Sequence, residues 1–386
     1  MVAVVVGLGM GAAGFASGGP AEPAVALPPM VVTASRAPVA LERLPLAVDR
    51  LEGAALEAPT ALTVDDALRV SPAFSLFRRT GSLTAHPTAQ GVSLRGIGPS
   101  GASRSLVLLD GLPLNDPFGG WVAWSKVPRL SLGTAEIVRG GGSAVWGSAA
   151  IGGTVQLLSR PMSPGTGRVL GEAGSAGLAR VEMLGDVSAG QGRLRAGGRW
   201  FRTDGWHAIR EDQRGGIDRR LDSRHWLAHA AWEGELREGM VLRIGGRAFD
   251  ERRGNGTPYT GNTSEEAAAH FALAGEVAPD VTVQILGYGQ RQRFASRFSS
   301  VAADRESERP ALDQHDVPAD AWGASAVASW RHPDGALTTL GGDWRAVSGE
   351  TREDYFYSGS GFLRRRHAGG DQWTGGLFAA HQRDIG

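Results

Sequence analysis

Gln90 to Arg160 reads QGVSLRGIGPSGASRSLVLLDGLPLNDPFGGWVAWSKVPRLSLGTAEIVRGGGSAVWGSAAIGGTVQLLSR, and this stretch decides the fold. The apolar run Ser105 to Leu109 stops at Asp110-Gly111, a turn dipeptide. A second run, Thr134 to Val138, stops at the glycines Gly140 to Gly142. A third, Gly153 to Leu158, follows another glycine cluster. Runs this short suit strands of a small compact domain better than solvent-facing helices. No Gly-Lys-Ser/Thr closes the glycine run, so it is not a phosphate loop, and its glycines serve tight turns and close packing. Between Leu112 and Lys126, Asn-Asp-Pro and Gly-Gly make a loop that nevertheless carries Phe118, Trp121 and Trp124. Aromatics on a loop touch either a ligand or a packed wall.

Five blocks here share an order and a spacing: Leu94-Arg95-Gly96, Val107 to Gly111, Glu136 to Gly140, Ser143 to Gly147 and Ala150 to Gly153. Together they resemble the plug domain of TonB-dependent outer-membrane receptors, over the region from about residue 30 to 160. The resemblance implies that Arg95, Glu136 and Arg139 contact the barrel wall, the arginines pairing with its acidic residues. It also implies plug apices that face the external cavity and touch ligand. The candidates for that contact are Ser82, His86, Asn115, Asp116, Phe118, Trp121 and Trp124. A lone histidine in a polar loop, as His86 is, also reads as an ordinary surface residue.

Composition narrows the class. The 386 residues include no Cys, 57 Gly and 11 Trp, and the formal net charge is zero. Without Cys there is no disulfide scaffold and no thiolate metal site. Balanced charge gives no electrostatic case for nucleic acid. No apolar run after the N-terminus is long enough for a membrane helix, but a barrel escapes that test because its lipid-facing and lumen-facing residues alternate.

Met1 to Ala16 is apolar and small, and Ala24-Val25-Ala26 resembles a cleavage site, so residues 1–26 are expected to be a secretory signal, although the positive n-region is missing. A rival reading makes Val2 to Val6 a strand and Gly9 to Gly14 a dinucleotide-binding G-x-G-x-x-G. The prolines at 20, 23, 28 and 29 leave no room for the helix that motif needs.

Residues 27–50 read as a tether. Within it Met30, Val31, Val32, Thr33, Ala34 and Ser35 form a β-prone patch suited to adding a strand to a partner's sheet edge. The patch resembles the family's TonB box, which implies the inner-membrane TonB protein as partner; the plain alternative is a first strand of the domain. Residues 51–162 are assigned to the plug. Thr63 to Val70 is expected to be a short helix with Thr63 as N-cap, ended by Ser71-Pro72, and Phe74 to Arg79 the next strand.

Residues 163–386 show period two. Trp322, Ala324, Ala326, Ala328 and Trp330 make one apolar face with Trp at both ends, roughly 26 Å apart at ~3.3 Å per residue. That matches the lipid-facing band of an outer-membrane barrel between its aromatic girdles. Trp226, Ala228, Ala230 and Trp232 repeat the pattern, while Arg193, Arg195 and Arg199 lie on the opposite face of their strand. About ten strands are expected, near 167–174, 178–187, 193–203, 224–236, 240–250, 267–277, 281–294, 321–331, 336–347 and 371–384. Long loops are expected near 204–222, 251–266, 295–320 and 348–370.

The fold class is therefore mixed: a small α+β plug followed by antiparallel transmembrane β-barrel strands. Plugged transporters have 22 strands, and an open edge in lipid leaves backbone groups unpaired, so the chain is expected to be a piece of such a barrel. The implied function is TonB-dependent import of a large scarce ligand, a ferric siderophore first, with cobalamin, haem or oligosaccharide as alternatives. A non-transporting surface-binding barrel is the rival from another class. No nucleophile–base pair, metal motif or cofactor motif stands out, so no enzyme, metal or cofactor is expected. The expected location is the Gram-negative outer membrane.

Overall fold

The computed structural model describes residues 2–9, 30–31, 36–44, 46–57, 61–76, 78, 80–98, 101–140 and 142–383. Of the expected partner-binding patch, Val32 to Ser35 lie outside the described residues, as does most of the 1–26 segment.

The N-proximal domain is built on a five-stranded sheet. Its members are β4 (Val48–Glu52), β7 (Ser105–Leu109), β8 (Leu112–Pro113), β9 (Leu132–Arg139) and β10 (Gly153–Ser159), in the order β4-β9-β10-β7-β8. The three apolar runs of the opening stretch are thus its three central strands. β10 runs parallel to β7 and antiparallel to β9. Gly111 holds φ +85° in the turn between β7 and β8, the left-handed geometry that Asp-Gly supplies. Two small pairs flank the sheet, β2 (Met30–Val31) with β3 (Val39–Ala40), and β5 (Phe74–Leu76) with β6 (Val92–Leu94).

The expected helix is α1 (Val64–Leu68), two residues shorter than its sequence pattern, with the Thr63 N–H donating to Asp66 Oδ2 at 3.2 Å. A second short helix, α2 (Ser143–Trp146), falls in the glycine-rich segment that reads as turns alone. The core gathers Leu68, Phe74, Leu94, Val107, Trp124, Ile137 and Val155, all nearly solvent-free.

Ten strands follow, each overlapping one of the ten expected: β11 (Thr166–Ala173), β12 (Ala179–Ala189), β13 (Gly192–Thr203), β14 (Ser223–Arg237), β15 (Met240–Gly254), β16 (Gly261–Ala278), β17 (Val281–Val301), β18 (Glu308–Arg331), β19 (Leu337–Tyr357) and β20 (Phe362–Gln382). They form one antiparallel meander in sequence order, and β1 (Val2–Gly9) lies antiparallel to β11 at its edge. The sheet does not close on itself.

Alternation sets the two faces. Trp322, Ala324, Ala326, Ala328 and Trp330 face outward and are exposed, while Ala321, Gly323, Val327 and Ser329 turn inward and are buried. The loop expectation needs correction. Only 204–222 is a long loop; at 251–266, 295–320 and 348–370 the strands continue, turning at short tips 255–260, 302–307 and 358–361. The polar residues there read as loop because both faces are wet above the apolar band, yet the backbone ladder persists and is laced by pairs such as Arg291–Asp320 at 2.8 Å.

One rim thus carries the short turns 190–191, 238–239, 279–280 and 332–336, and the other carries the loop and the tips.

Candidate functional site

The N-proximal domain sits against the inner face of the large sheet, and the seam between them is polar and dry. At its centre Lys126 Nζ lies 2.5 Å from Glu266 Oε2, with side-chain exposures of 1% and 0%. Arg247 Nε takes the other carboxylate oxygen at 2.5 Å, and Gln290 Nε2 donates to Oε2 at 3.0 Å. Burial pushes the Lys126 ammonium down and Glu266 pulls it back up. A buried carboxylate between two cations satisfies what burial of any one charge alone would leave unpaired.

Around this centre the wall reaches for the domain's backbone. Arg199 donates to Val127 O at 3.1 Å and to Ser125 O. Arg195 donates to Arg160 O at 2.8 Å and Pro161 O at 3.0 Å while paired with Asp186. Arg180 reaches Leu62 O, and Arg253 reaches Ala85 O. In the opposite sense, the Leu130 N–H donates to Glu182 Oε1 at 3.0 Å. Nearer the short-turn rim, Asp110 pairs with Arg243 at 3.2 Å and Glu57 with Arg168 at 2.9 Å. These wall arginines occupy the inward positions that alternation assigns them.

The arm enters at the short-turn rim. Arg36, next after the expected partner-binding patch, holds φ +54° and is 6% exposed. Its guanidinium stacks 4.1 Å over the Trp146 ring of α2 and 5.1 Å over Phe378 of β20, and lies 3.6 Å from Asp343 of β19. One side chain therefore ties the arm to both the inner domain and the wall. Ala37 and Val39 pack on Leu337 beside it, and Arg43 Nη2 donates to Gly335 O at 3.5 Å.

The three expected wall residues stand on β9 or just after β6. Arg139 pairs at 2.8 Å with Asp49 on neighbouring β4, within its own domain. Glu136 is 1% exposed on β9, in register with Arg50 and Gln156 of the same sheet. Arg95 is exposed at φ +58°, close to Gly140. The described wall meets Lys126, Leu130 and Asp110.

The ligand candidates divide in the same way. Ser82 is buried against Asp65 and Arg78, and Trp124 is 1% exposed in the core, edge-on to Phe74. Asn115 braces its loop, accepting from the Val107 N–H at 2.8 Å and donating to Gly120 O at 3.2 Å. Asp116 accepts from the Phe118 N–H at 3.0 Å and the Gly119 N–H at 2.6 Å, and burial raises its carboxyl.

Trp121 packs on Phe294 and Val317 of the wall. His86 donates to or accepts from Ser296 Oγ at 3.0 Å and lies beside Phe294 and Phe298; burial first, then Arg253, lowers its imidazole to about 4. His86 is therefore a half-buried wall contact rather than a fully solvated loop residue. Phe118, 40% exposed, leans on Gly349, where a Cβ would stand 2.6 Å from its ring. Of the seven, Phe118 alone keeps a large open face.

At the far rim the 204–222 loop is clasped. Arg305 grips Asp218 at 2.5 and 2.8 Å, which holds that carboxyl down to about 2, and the Gly216 N–H donates to Glu306 at 3.0 Å. Among the described residues no group of three or more His, Cys, Asp or Glu is arranged to hold a metal ion.

Sequence reasoning missed Lys126, Glu266 and Arg36. A signal existed for the first: Lys126 is the single lysine among 40 basic residues. Glu266 and Arg36 carry no such mark.

Comparison with known proteins agrees with this architecture. Residues 40–154 match the family model described as TonB-dependent Receptor Plug Domain. The vitamin B12 transporter BtuB of Vibrio vulnificus (strain YJ016) is 26% identical over 132 residues, which is 34% of this chain and 20% of that protein. Among solved structures, P. aeruginosa FpvA in a pyoverdine–iron complex superposes with a TM-score of 0.69 at 11% identity, covering 92% of this chain and 52% of that one. The copper transporter OprC gives 0.66 at 15% identity, over 86% and 52%. The chain thus spans about half the length of the solved structures it matches. Residues 40–154 are thus a plug domain of the TonB-dependent receptor type, and β11–β20 share the fold of the solved structures that the chain matches.

Proposed function

We propose that this chain supplies the plug and part of the barrel of an outer-membrane importer, driven by the TonB protein through Met30 to Ser35, whose cargo is a ferric siderophore. The observation that carries this reading is Arg36. It joins the arm at once to the plug helix α2 and to the wall strands β19 and β20, so a pull on the arm loads the plug. The plug is held by hydrogen bonds and ion pairs rather than by a continuous apolar seal, so its contacts with the wall can be exchanged for water as it yields. The outer membrane has no nucleotide supply, and a proton gradient is worth ~2.3 kcal/mol per charge per 100 mV.

The cargo assignment is supported by the likeness to FpvA and by arginines lining the wall, which suit an anionic chelate. A second reading, cobalamin, is favoured by the sequence match to a vitamin B12 transporter. Uptake of labelled ferric siderophores and of labelled cobalamin by cells carrying the gene distinguishes them. Uptake of cobalamin and of no siderophore reverses the choice. Deleting Met30 to Ser35 should abolish uptake of either; uptake that persists removes the TonB-driven reading and leaves a surface-binding barrel.

The export signal at 1–26 belongs to the same proposal. A mature N-terminus after Ala26 would lack Val2–Gly9 and free the edge of β11; N-terminal sequencing decides it.

A further inference from the structure

The outer face carries a feature that the import reading does not use. Arg202 of β13, Arg224 of β14 and Arg252 of β15 stand directly opposite one another in register. All three are exposed and occupy the outward phase of their strands, shared with Trp200 and Trp226, which are themselves cross-strand partners. The arginines sit two residues beyond that tryptophan pair, ~7 Å further toward the loop-bearing rim. The row therefore lies just above the aromatic girdle, where lipid headgroups begin. With strands ~4.8 Å apart, the three guanidiniums span about 10 Å.

Like charges directly opposite one another on a sheet destabilise it. Elsewhere on this face the chain neutralises its arginines, as Asp320 does for Arg291 at 2.8 Å and Asp354 for Arg365 at 2.9 Å. Among the described residues the three row arginines make no ion pair and no hydrogen bond. The nearest acids are Asp250, opposite Trp226, and Glu265, opposite Asp250, one outward position lower, with Asp222 and Asp204 two residues on from Arg224 and Arg202 toward the rim. Beside the row a groove of about 540 Å³ is lined by Arg224, Arg252 and Arg297 together with Asp222, Asp313 and Thr263.

We propose that Arg202, Arg224 and Arg252 bind the phosphate groups of a phosphorylated glycolipid in the outer leaflet. Guanidinium is suited to this task, because its planar fork meets phosphate oxygens in pairs and stays charged at any physiological pH. The apolar part of the same lipid lies against the outward alanines and tryptophans below. The proposal rests on the import reading in one respect, that the arm-bearing rim faces the periplasm and the row faces outward.

The test uses the protein purified from outer membranes in mild detergent, titrated with a deep-rough lipopolysaccharide carrying two lipid phosphates. Wild-type protein should bind it, and binding should weaken with added salt. The triple variant R202Q/R224Q/R252Q should bind at least tenfold more weakly, and Arg291→Gln should bind as wild type does. Equal binding by the triple variant overturns the proposal. So does displacement of the glycolipid by millimolar inorganic phosphate, which would make the row a free-anion site. If the triple variant fails to fold, Arg224→Gln and Arg224→Glu replace it, with a graded loss expected and an unchanged affinity again fatal.

The variant Asp212→Cys, in the 204–222 loop, separates the two proposals. Its labelling on intact cells by an impermeant maleimide fixes the rim as external, so a failed titration then counts against the row alone. Protection of that cysteine from the reagent counts against the import reading's orientation.

Discussion

Strands β13 to β15 carry arginines on both faces, and the two sets meet opposite conditions. On the inner face Arg195, Arg199 and Arg253 are all but solvent-free, and each is bound to carbonyls of the plug or to a neighbouring carboxylate. On the outer face Arg202, Arg224 and Arg252 are exposed and unpaired. The residue type and the period are the same; the surroundings differ. A desolvated charge must be matched atom by atom, whereas a wet one tolerates its like-charged neighbours until a counter-ion arrives. The inner set therefore positions the plug, and the outer set is free to meet a second molecule.

Glu266→Ala should break the inner side of this comparison most severely. It leaves Lys126 and Arg247 buried side by side with no counter-charge, at a cost of roughly 3–5 kcal/mol, read as a lower denaturation midpoint. Replacing Glu266, Lys126 and Arg247 together by apolar residues of similar size should recover most of that loss. If the single variant melts like wild type, the seam is wetter than its geometry indicates.

Acid should loosen the inner face next. His86 is held neutral, its imidazole lowered from the ordinary 6.5 to about 4. The unfolded chain takes up the proton near pH 6.5 and the folded one does not, so stability is full above that pH. It falls as pH drops from 6.5 toward 4 and levels off below, by up to about 3 kcal/mol. His86→Gln should flatten this part of the profile in a pH series of melting curves, and an unchanged slope would assign the acid sensitivity elsewhere.

Arg36→Ala should have a smaller effect, about 1–2 kcal/mol, because it removes two stacking contacts and a long ion pair. The sensitive readout is local: limited proteolysis within the arm should quicken while the global melt barely moves. The outer face supplies the smallest effect. Arg291→Gln breaks a wet pair with Asp320 and should leave the melting temperature unchanged.

Much of this molecule was legible before folding. Each of the ten barrel strands falls where period two and turn residues put it, because a wall between lipid and lumen must alternate at every step. The plug's central strands follow from three short apolar runs bounded by glycines. Strand length above the membrane was not legible, since the polar stretches 295–301 and 348–357 lack the continuous apolar face that marks a strand while still hydrogen-bonding as one. The ligand candidates were read from residue type. Trp124 shows the limit of that: a tryptophan in a Gly-rich loop looks available, yet it is 1% exposed in the core.

The sequence alone determined the two-part architecture, the inward and outward phase of each strand, and the aromatic band. Those depend on local period and on turn residues, which any short window carries. The tertiary structure alone decided which charges meet. Lys126 and Glu266 are 140 residues apart, and Arg36 and Asp343 are separated further still. No local pattern links such residues, because an ion pair across the seam is fixed only when the plug is seated and water has been excluded from between its partners.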